Sequence, residues 1–284
     1  MPELALKVDI DTYRGFRDGL PSLLKTLGER NLKASFFVTF GPDRSGLAII
    51  QMFRPRFFMK MLKSNAPGTY GIETALYGTL LKAPMIASAN PEAVRQIAEL
   101  GHETACHAWD HRLWQDWLGI MGRKGIHEWF RKMVGAYMDA TGTAPGAFGA
   151  PGWMMNTSAL KEAAAWGFKY LSCTRAQVPF IFEENGLLEI PSNIPCIEEV
   201  GTDGVLTALE KNAGSSVPQV LPVHTEIEGG AFKADFERIL DKAAALGYNI
   251  RKLCDIAEGI DRSRLEIRPL RKALLAGRAF SCSV

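Results

Sequence analysis

The chain alternates between short apolar runs and longer segments in which apolar residues recur every three to four positions. The apolar runs at residues 4–8 and 34–40 predict β-strands, and the second is rich in β-branched and aromatic residues. The intervening segment 20–27 has the period of an amphipathic helix. Residues 91–100 predict another helix, because proline stands in the first turn and Gly101 follows the end. Further along, the pattern predicts strands at residues 104–106, 169–173, 217–223 and 248–250, and helices at residues 124–139, 157–166 and 233–246.

The order of these elements predicts the fold class. Strands that alternate with helices are typical of an α/β fold with a mostly parallel sheet, either flat or closed into a barrel. Residues 41–90 do not follow the alternation, and we interpret them as an insertion. We therefore expect one main domain over residues 1–260, which contains the insertion, and a basic tail at residues 261–284.

Composition narrows the class of protein. The chain has 284 residues, of which 47% are apolar and 23% charged, as expected of a protein with an ordinary globular core. Its five cysteines are widely spaced and form no Cys-x-x-Cys pair, which favours a reducing compartment over a disulfide framework. Residues 1–8 lack the apolar core of a signal peptide. The longest uncharged stretch, residues 140–160, contains too many glycines and prolines to predict a membrane span.

The formal net charge is only +2, but two segments concentrate positive charge. Residues 44–63 contain five arginines and lysines and no acidic residue, and residues 262–278 contain six against the single acid Glu266. Large apolar side chains are interspersed in both segments. This composition predicts an anionic partner surface. We expect no nucleic-acid partner, because no recognised nucleic-acid-binding motif accompanies the basic residues.

Two aspartates follow the first predicted strand. Asp9 and Asp11 are separated by one residue, so on an extended chain their carboxylates point to the same side. At the carboxyl end of a barrel strand, that side faces the mouth where active sites form. Like charges this close resist joint ionisation, and a bound cation would neutralise them. The alternative for the pair taken alone is helix capping.

Two histidines follow the short strand predicted at residues 104–106. His107 and His111 have the i, i+4 spacing that places two side chains on one face of a helix or helical turn. Two imidazoles and one carboxylate form a common ligand set for a divalent metal that keeps positions open for water. We therefore predict one ion, such as zinc, cobalt or manganese, held by Asp11, His107 and His111. Taken alone, the histidine pair is equally consistent with an ordinary protein surface.

A further histidine ends the strand predicted at residues 217–223. His224 is followed by Glu226, which is close enough in sequence to orient the imidazole. A lone histidine is more often structural, but one at a strand end beside a carboxylate is a candidate general acid. The two remaining histidines are weaker candidates, because His102 follows a glycine in a turn and His127 lies in a polar helix.

These motifs, in this order, resemble the polysaccharide deacetylases (the NodB homology domain, carbohydrate esterase family 4). Shorter stretches resemble one subgroup, the 4-deoxy-4-formamido-L-arabinose-phosphoundecaprenol deformylases. The resemblance covers roughly residues 4–258, insertion included. The matching stretches are D-x-D-T-Y-R-G at residues 9–15, S-N-A at 64–66, H-A-W-D-H at 107–111, A-x-G-W at 150–153 and H-x-E-x-E-G at 224–229.

The resemblance implies a distorted (β/α) barrel of the NodB deacetylase type, with the insertion at about residues 41–90. It also implies roles for the polar residues at the strand ends. These are the catalytic base Asp9, the catalytic acid His224, the metal ligands Asp11, His107 and His111, and the expected substrate-binding residues Arg14, Trp153 and Glu226.

The sequence departs from the family pattern at two places. The deacetylases usually carry an arginine, which orients the base, in the loop where this chain has G-A-P-G-W-M at residues 149–154. They also usually carry an aspartate after the strand that here ends in L-S-C-T-R at residues 171–175. Arg14 and Arg175 are the candidates to replace the missing arginine.

The resemblance implies a metal-dependent amide hydrolase. The expected reaction removes the formyl group from undecaprenyl-phosphate-linked 4-formamido-4-deoxy-L-arabinose in lipid A modification. With that substrate, the enzyme would bind peripherally to the cytoplasmic face of the inner membrane, through residues 44–63 and the C-terminal segment. An N-deacetylase of another amino-sugar glycan or glycolipid would use the same site. A catalytically impaired glycolipid-binding protein is the second alternative, because it would explain the two departures.

Overall fold

The computed structural model describes residues 1–48, 72–275, 278 and 280–284. Its strands are β1 Glu3–Ile10, β2 Ser35–Thr39, β3 Glu103–Ala108, β4 Ala147–Phe148, β5 Tyr170–Leu171, β6 Phe180–Phe182, β7 Leu188–Glu189, β8 Gln219–His224, β9 Asn249–Arg251, β10 Ile267–Arg268, β11 Lys272–Ala273 and β12 Cys282–Ser283. Its α-helices are α1 Leu20–Glu29, α2 Ile72–Leu76, α3 Pro91–Glu99, α4 His111–Trp117, α5 Arg123–Thr141, α6 Thr157–Ala165, α7 Ile197–Asn212, α8 Lys233–Ala245 and α9 Leu253–Gly259.

Within the described chain, ten of the strands form one sheet in the order β10-β6-β7-β5-β4-β3-β2-β1-β8, and β9 also pairs with β1. The ladders of this sheet are parallel except for the antiparallel pair β6 and β7. Helices return the chain between parallel strands, as a mostly parallel sheet requires. The prediction of an α/β fold with a mostly parallel sheet is therefore confirmed.

The two faces of the sheet pack into separate clusters. Along β1, the alternate residues Leu4, Leu6 and Val8 pack with the surrounding helices in the larger core cluster. The opposite face, which includes Ala5 and Phe37, forms a second cluster that α9 covers. A sheet that closes toward a barrel curls around its inner face, and here the inner face carries the second cluster.

The curl brings the distant strands of the sheet together. The second cluster contains residues from β1 to β5, β7 and β8, although β7 and β8 are six strands apart along the ladder. A backbone hydrogen bond from Ile194, which follows β7, to the carbonyl of Val220 in β8 measures 3.1 Å. One hydrogen bond in place of a full ladder is what a distorted barrel would have at its seam.

The predicted elements agree with the structure to within a few residues, and the differences have physical causes. The strand predicted at residues 169–173 shortens to Tyr170–Leu171. Helix α7 was missed because only Ile197, Val205 and Leu209 are buried along its length, so it has no continuous apolar stripe. The short strands β6, β7 and β10 to β12 contain only two or three residues each, too few to show a period.

The insertion leaves the sheet and returns to the same place. After β2, the backbone amide of Ile86 donates to Gly41 and that of Ser88 donates to Phe40, at 2.9 and 3.2 Å. The two described ends of segment 41–90 therefore lie side by side at the end of β2. Residues 49–71 lie outside the described residues, and with them lies most of the basic segment predicted at 44–63.

The C-terminal segment 261–284 packs onto the rest of the protein. Strand β10 extends the main sheet beside β6. The carbonyl of Ser283 accepts a 2.9 Å hydrogen bond from the amide of Arg175, and the Ser283 hydroxyl accepts one of 3.1 Å from the amide of Met155. Cys282 and Ser283 are buried. The described part of this segment is therefore tied to the loops at the carboxyl ends of β4 and β5.

Two findings bear on the expectations from composition. Each of the five cysteines lies in the described part of the chain and is free, in agreement with the expectation of no disulfide framework. Among the helices of the described ranges, none has the length and apolar character that a bilayer crossing requires.

Candidate metal centre and active site

The register of the parallel strands sets the level at which the polar side chains meet. Asp9 of β1 is the partner of His224 of β8 on one side and of Phe37 of β2 on the other. Phe37 is in turn the partner of Ala105 of β3, two residues before His107. Because parallel strands end at the same edge of a sheet, Asp9, His107 and His224 are delivered to one site.

The three predicted metal ligands converge at this edge. Asp11 follows β1 directly, and its Oδ1 and Oδ2 atoms each lie 3.1 Å from the Nε2 atom of an imidazole, that of His107 and that of His111 respectively. The two imidazole rings are stacked with centroids 5.3 Å apart. One potential ligand atom from each residue lies within 4.8 Å of the others. The carboxylate therefore faces both imidazole nitrogens around a single point.

The two histidines do not share a helix, so the prediction that they lie on one helix face was wrong. His107 is part of β3, whereas His111 is the first residue of α4. The helix begins only there because the Asp110 side chain caps it, accepting a 2.9 Å hydrogen bond from the amide of Leu113. The tight connection between strand and helix brings the imidazoles together in place of helical periodicity.

The residues at this point fit a divalent metal. Asp11 Oδ1 is buried, and no donor among the described residues forms a well-aligned hydrogen bond to it. A lone pair of this oxygen is therefore available to a metal ion. Burial would raise the pKa of Asp11, but the charges of His111 and His107 hold it well below the usual value. Burial also lowers the pKa of His107 and thus favours the neutral imidazole that a metal needs. Two imidazole nitrogens and a carboxylate are an ordinary ligand set for zinc, cobalt or manganese.

The predicted base, Asp9, is paired with a residue that sequence reasoning missed. Asp9 is 3% exposed, and the fully buried Lys7 donates from Nζ to both of its carboxylate oxygens. Of the two arginines considered as partners for the base, Arg175 pairs instead with Glu199, at 2.8 Å. The other, Arg14, acts on a different carboxylate, that of Asp18. The hydrogen bond from Arg17 lowers the pKa of Asp18 most, the charge of Arg14 lowers it further, and burial opposes both effects.

The predicted acid, His224, is held by a glutamate from another element. Its Nδ1 atom lies 3.0 Å from Oε1 of Glu198, in the first turn of α7, and its backbone amide donates to Glu228 at 2.7 Å. Burial alone would lower the pKa of His224, but the carboxylate of Glu198 raises it well above the usual value. The imidazole is therefore protonated near neutral pH and has a proton to donate.

The expectation that Glu226 orients His224 was wrong. The buried Glu226 side chain instead accepts a 3.2 Å hydrogen bond from the hydroxyl of Thr225. Burial, followed by the nearby charge of Asp11, raises the pKa of Glu226 well above its usual value. A protonated glutamic acid beside the metal ligand could donate a hydrogen bond to a substrate, so its role in substrate binding stays a prediction.

The third expected substrate contact, Trp153, is 4% exposed. Its indole nitrogen donates to the hydroxyl of Ser192 at 3.1 Å. The guanidinium groups of Arg175 and Arg278 lie over the indole, 4.8 and 4.6 Å from a ring centroid. The ring therefore packs the loop after β4 against the C-terminal segment, and its role in substrate binding stays a prediction.

The residues that sequence reasoning missed had weak signals. Lys7 is the one charged residue in the apolar run 4–8 and precedes Asp9 by two positions, so the two share a strand face. Glu189 is buried and accepts 2.7 Å hydrogen bonds from the amides of Cys173 and Thr174, where the family aspartate is missing. Burial raises its pKa to about 7. Glu198 had no signal near His224 in the sequence, because the two residues come from separate elements.

A model of the family described as polysaccharide deacetylase matches residues 3–171. The chain belongs to the polysaccharide deacetylase family. A protein named probable 4-deoxy-4-formamido-L-arabinose-phosphoundecaprenol deformylase ArnD, from Shewanella sediminis (strain HAW-EB3), is 32% identical over 247 residues. That match covers 85% of this chain and 81% of the relative. A protein of the same name from Wigglesworthia glossinidia brevipalpis is 29% identical over 255 residues, covering 85% and 88% of the two chains.

A solved structure supports the fold independently. The crystal structure of a putative polysaccharide deacetylase from Mycobacterium smegmatis superposes with a TM-score of 0.68 at 19% identity. The superposition covers 96% of this chain and 94% of that one. Two predictions are therefore confirmed. The chain is related to the polysaccharide deacetylases, and it belongs to the class of hydrolases that the resemblance implied.

We predict that replacing His107 by alanine removes the bound metal. The substitution deletes one of three protein ligands and leaves a pair too weak to retain the ion through purification. Elemental analysis should show close to one divalent ion per parental chain and almost none in His107→Ala. The matched control is His127→Ala on helix α5, where the imidazole contacts Glu162 and not the site. Equal metal content in parent and His107→Ala would contradict the assignment.

We predict that Glu198→Gln moves the alkaline limb of kcat/KM to lower pH. The carboxylate raises the pKa of His224, so its removal lets the imidazolium lose its proton at lower pH. The carboxyl groups of Asp11, Glu226 and Glu228 also act on His224, and the substitution leaves them in place. Glu210→Gln, on the same helix but paired with Lys242, is the control and should leave the limb in place. An unchanged limb in Glu198→Gln would show that Glu198 does not set the acid.

Proposed function

We propose that this chain is a metal-dependent deformylase acting on undecaprenyl-phosphate-linked 4-formamido-4-deoxy-L-arabinose. Both relatives described above carry this substrate in their names and match most of their own length. One observation supports the proposal most directly. Asp9, Asp11 and His224 lie at one edge of the sheet, together with His107 at the end of β3 and His111 at the start of α4. A base, an acid and a metal ligand set are the groups that amide hydrolysis needs.

The metal site is proposed to consist of Asp11, His107 and His111. An ion bound there supplies a Lewis acid for the amide carbonyl and a lower pKa for water. The three side chains come from the ends of β1 and β3 and the start of α4, and each would supply one ligand atom to the ion.

The proton steps are assigned to residues on either side of that centre. Asp9, whose carboxylate is held by Lys7, takes the proton from the attacking water. His224, kept protonated by Glu198, gives its proton to the departing amine nitrogen. Because Asp9 and His224 are register partners on adjacent strands, base and acid approach the amide from neighbouring positions. The products are formate and the lipid-linked amino sugar.

The same groups would hydrolyse an acetamide, so an N-deacetylase of another amino-sugar glycolipid is the second candidate. A catalytically impaired protein is less well supported. The two departures from the family pattern suggested it, but Lys7 contacts the base and Glu198 contacts the acid in this structure. Neither candidate catalytic residue is left without a partner.

The substrate assignment predicts which acid is released. Purified protein incubated with formylated and acetylated amino-sugar lipids should release formate much faster than acetate, measured by enzymatic assay of each acid. Asp9→Asn and His224→Ala should keep the metal and lose roughly 100- to 10,000-fold in turnover, because general acid–base steps contribute that much. A preference for acetate would favour the deacetylase, and parental turnover in Asp9→Asn would remove Asp9 from the mechanism.

We also propose peripheral binding to an anionic surface, at the cytoplasmic face of the inner membrane. A polyprenyl-phosphate substrate keeps its tail in the bilayer, so the site has to approach the headgroups. In the described part of the insertion, Leu80 and Leu81 are 83% and 41% exposed beside the exposed Lys82. In the C-terminal segment, Leu274 is 50% exposed and follows the exposed Lys272 of β11 by two residues. Apolar side chains next to cations favour interfacial binding.

Liposome cosedimentation tests this localisation. Binding should require anionic lipid and weaken with salt. Changing Arg54, Arg56, Lys60 and Lys63 to Gln should weaken it further, because each cation near an anionic surface contributes about 1 kcal/mol. The matched control changes four lysines on helices of the body to Gln: Lys25, Lys132, Lys211 and Lys233. Binding that is absent, or equal on neutral vesicles, would contradict the proposal.

A further inference from the structure

Lys7 is a charged residue where the fold has little tolerance for charge. It points to the inner face of β1 between Ala5 and Asp9 and is fully buried. Its ammonium group lies 4.6 Å from the centroid of the Phe37 ring and donates to both carboxylate oxygens of Asp9. Burying an ammonium ion costs several kcal/mol unless a partner compensates it, so the Asp9 contact is what makes this position possible.

The space that Lys7 occupies exists because position 149 is glycine. A Cβ atom on Gly149 would lie 3.2 Å from Cε of Lys7 and 2.6 Å from Cδ1 of Phe37. The second distance is shorter than such contacts allow, so a side chain at 149 would displace the ring and then meet the lysine stem. The position of the Lys7 side chain therefore depends on glycine at 149.

Gly149 opens the loop in which the deacetylases usually carry the arginine that orients the base. In this chain the first residue of that loop is a glycine without a side chain, and the cation beside the base is Lys7 of β1. The ion pair joins two residues of one strand, so it links no separate elements of the fold. The ion pair mainly affects Asp9, because Lys7 donates to both oxygens of that carboxylate.

We infer that Lys7 is the positioning residue for the catalytic base: it fixes the orientation of the Asp9 carboxylate, from the space that Gly149 leaves open. This rests on the proposed role of Asp9 as base. The Lys7 ammonium group donates to both oxygens of Asp9, so its effect on turnover should depend on Asp9, and an experiment can detect this dependence.

A double-mutant cycle on the full-length, metal-loaded protein tests the inference. Lys7→Met should lower kcat about 100-fold, as expected for a misplaced catalytic group, with KM and metal content close to parental values. In the Asp9→Asn background, the same Lys7→Met change should lower kcat no further, because the group that Lys7 positions is already disabled. Lys7→Arg, which keeps a cation, should restore a large part of the turnover that Lys7→Met loses.

The outcomes separate this inference from the proposed function. Parental turnover in Asp9→Asn would overturn the role of Asp9 itself. If Asp9→Asn is inactive but Lys7→Met has parental kcat, only the inference about Lys7 fails. Losses that multiply in Lys7→Met/Asp9→Asn would show that Lys7 acts through the fold and would also overturn it.

A second comparison covers the case in which Lys7→Met does not fold, since it leaves Asp9 buried without its partner. Lys7→Met/Asp9→Asn removes both charges and is compared with Asp9→Asn, while Lys7→Arg is compared with the parent. Equal kcat in the first comparison and retained turnover in the second support the inference. A further loss in the first, or a loss in Lys7→Arg as large as that in Asp9→Asn, overturns it.

Discussion

The register of β1 with its two neighbours is the constraint on which the site depends. Asp9 is level with His224 on one side, and through Phe37 with the end of β3 on the other. A shift of one residue in either ladder would turn the inner face of a strand outward, because side chains alternate with period two. Acid and base would then no longer face each other. The apolar outer face of β1 resists such a shift, since Leu4, Leu6 and Val8 would have to leave the core.

A second constraint is the amount of charge that the site buries. Burial raises the pKa of Glu228 to about 8 and that of Glu189 to about 7, so both carboxyl groups bind protons more readily near neutral pH than an exposed glutamate does. Asp11 remains ionised because two imidazoles lie against it. His224 remains protonated because the Glu198 carboxylate lies against it. The division between carboxyl groups with raised pKa values and ion pairs allows one small volume to contain the proposed base, the proposed acid and the proposed ligand set.

The chain retains the family arrangement while changing its supporting residues. In place of a loop arginine, the cation at the base is Lys7 from the first strand. A buried glutamate, Glu189, binds the amides at the end of the fifth strand, where the family aspartate is missing. The arginine suspected of replacing the loop residue, Arg175, stacks on Trp153 and pairs with Glu199, so its side chain joins the loop after β4 to the first turn of α7 instead. The proposed base and acid thus lie at strand ends, as the resemblance implied, while their partners come from other residues than the family pattern gives.

The sequence by itself determined the order of the elements and the residues at the strand ends. Asp-x-Asp, His-x-x-x-His and the late histidine are local patterns, and parallel strands bring their carboxyl ends together whatever the details of packing. The tertiary structure alone decided the partners and the local geometry. It placed His107 on a strand and His111 on a helix, since a capping aspartate starts the helix between them. It also made Glu198, and not Glu226, the partner of His224, the proposed acid. Contact between distant elements depends on how the sheet curls, and no local sequence pattern predicts that curl.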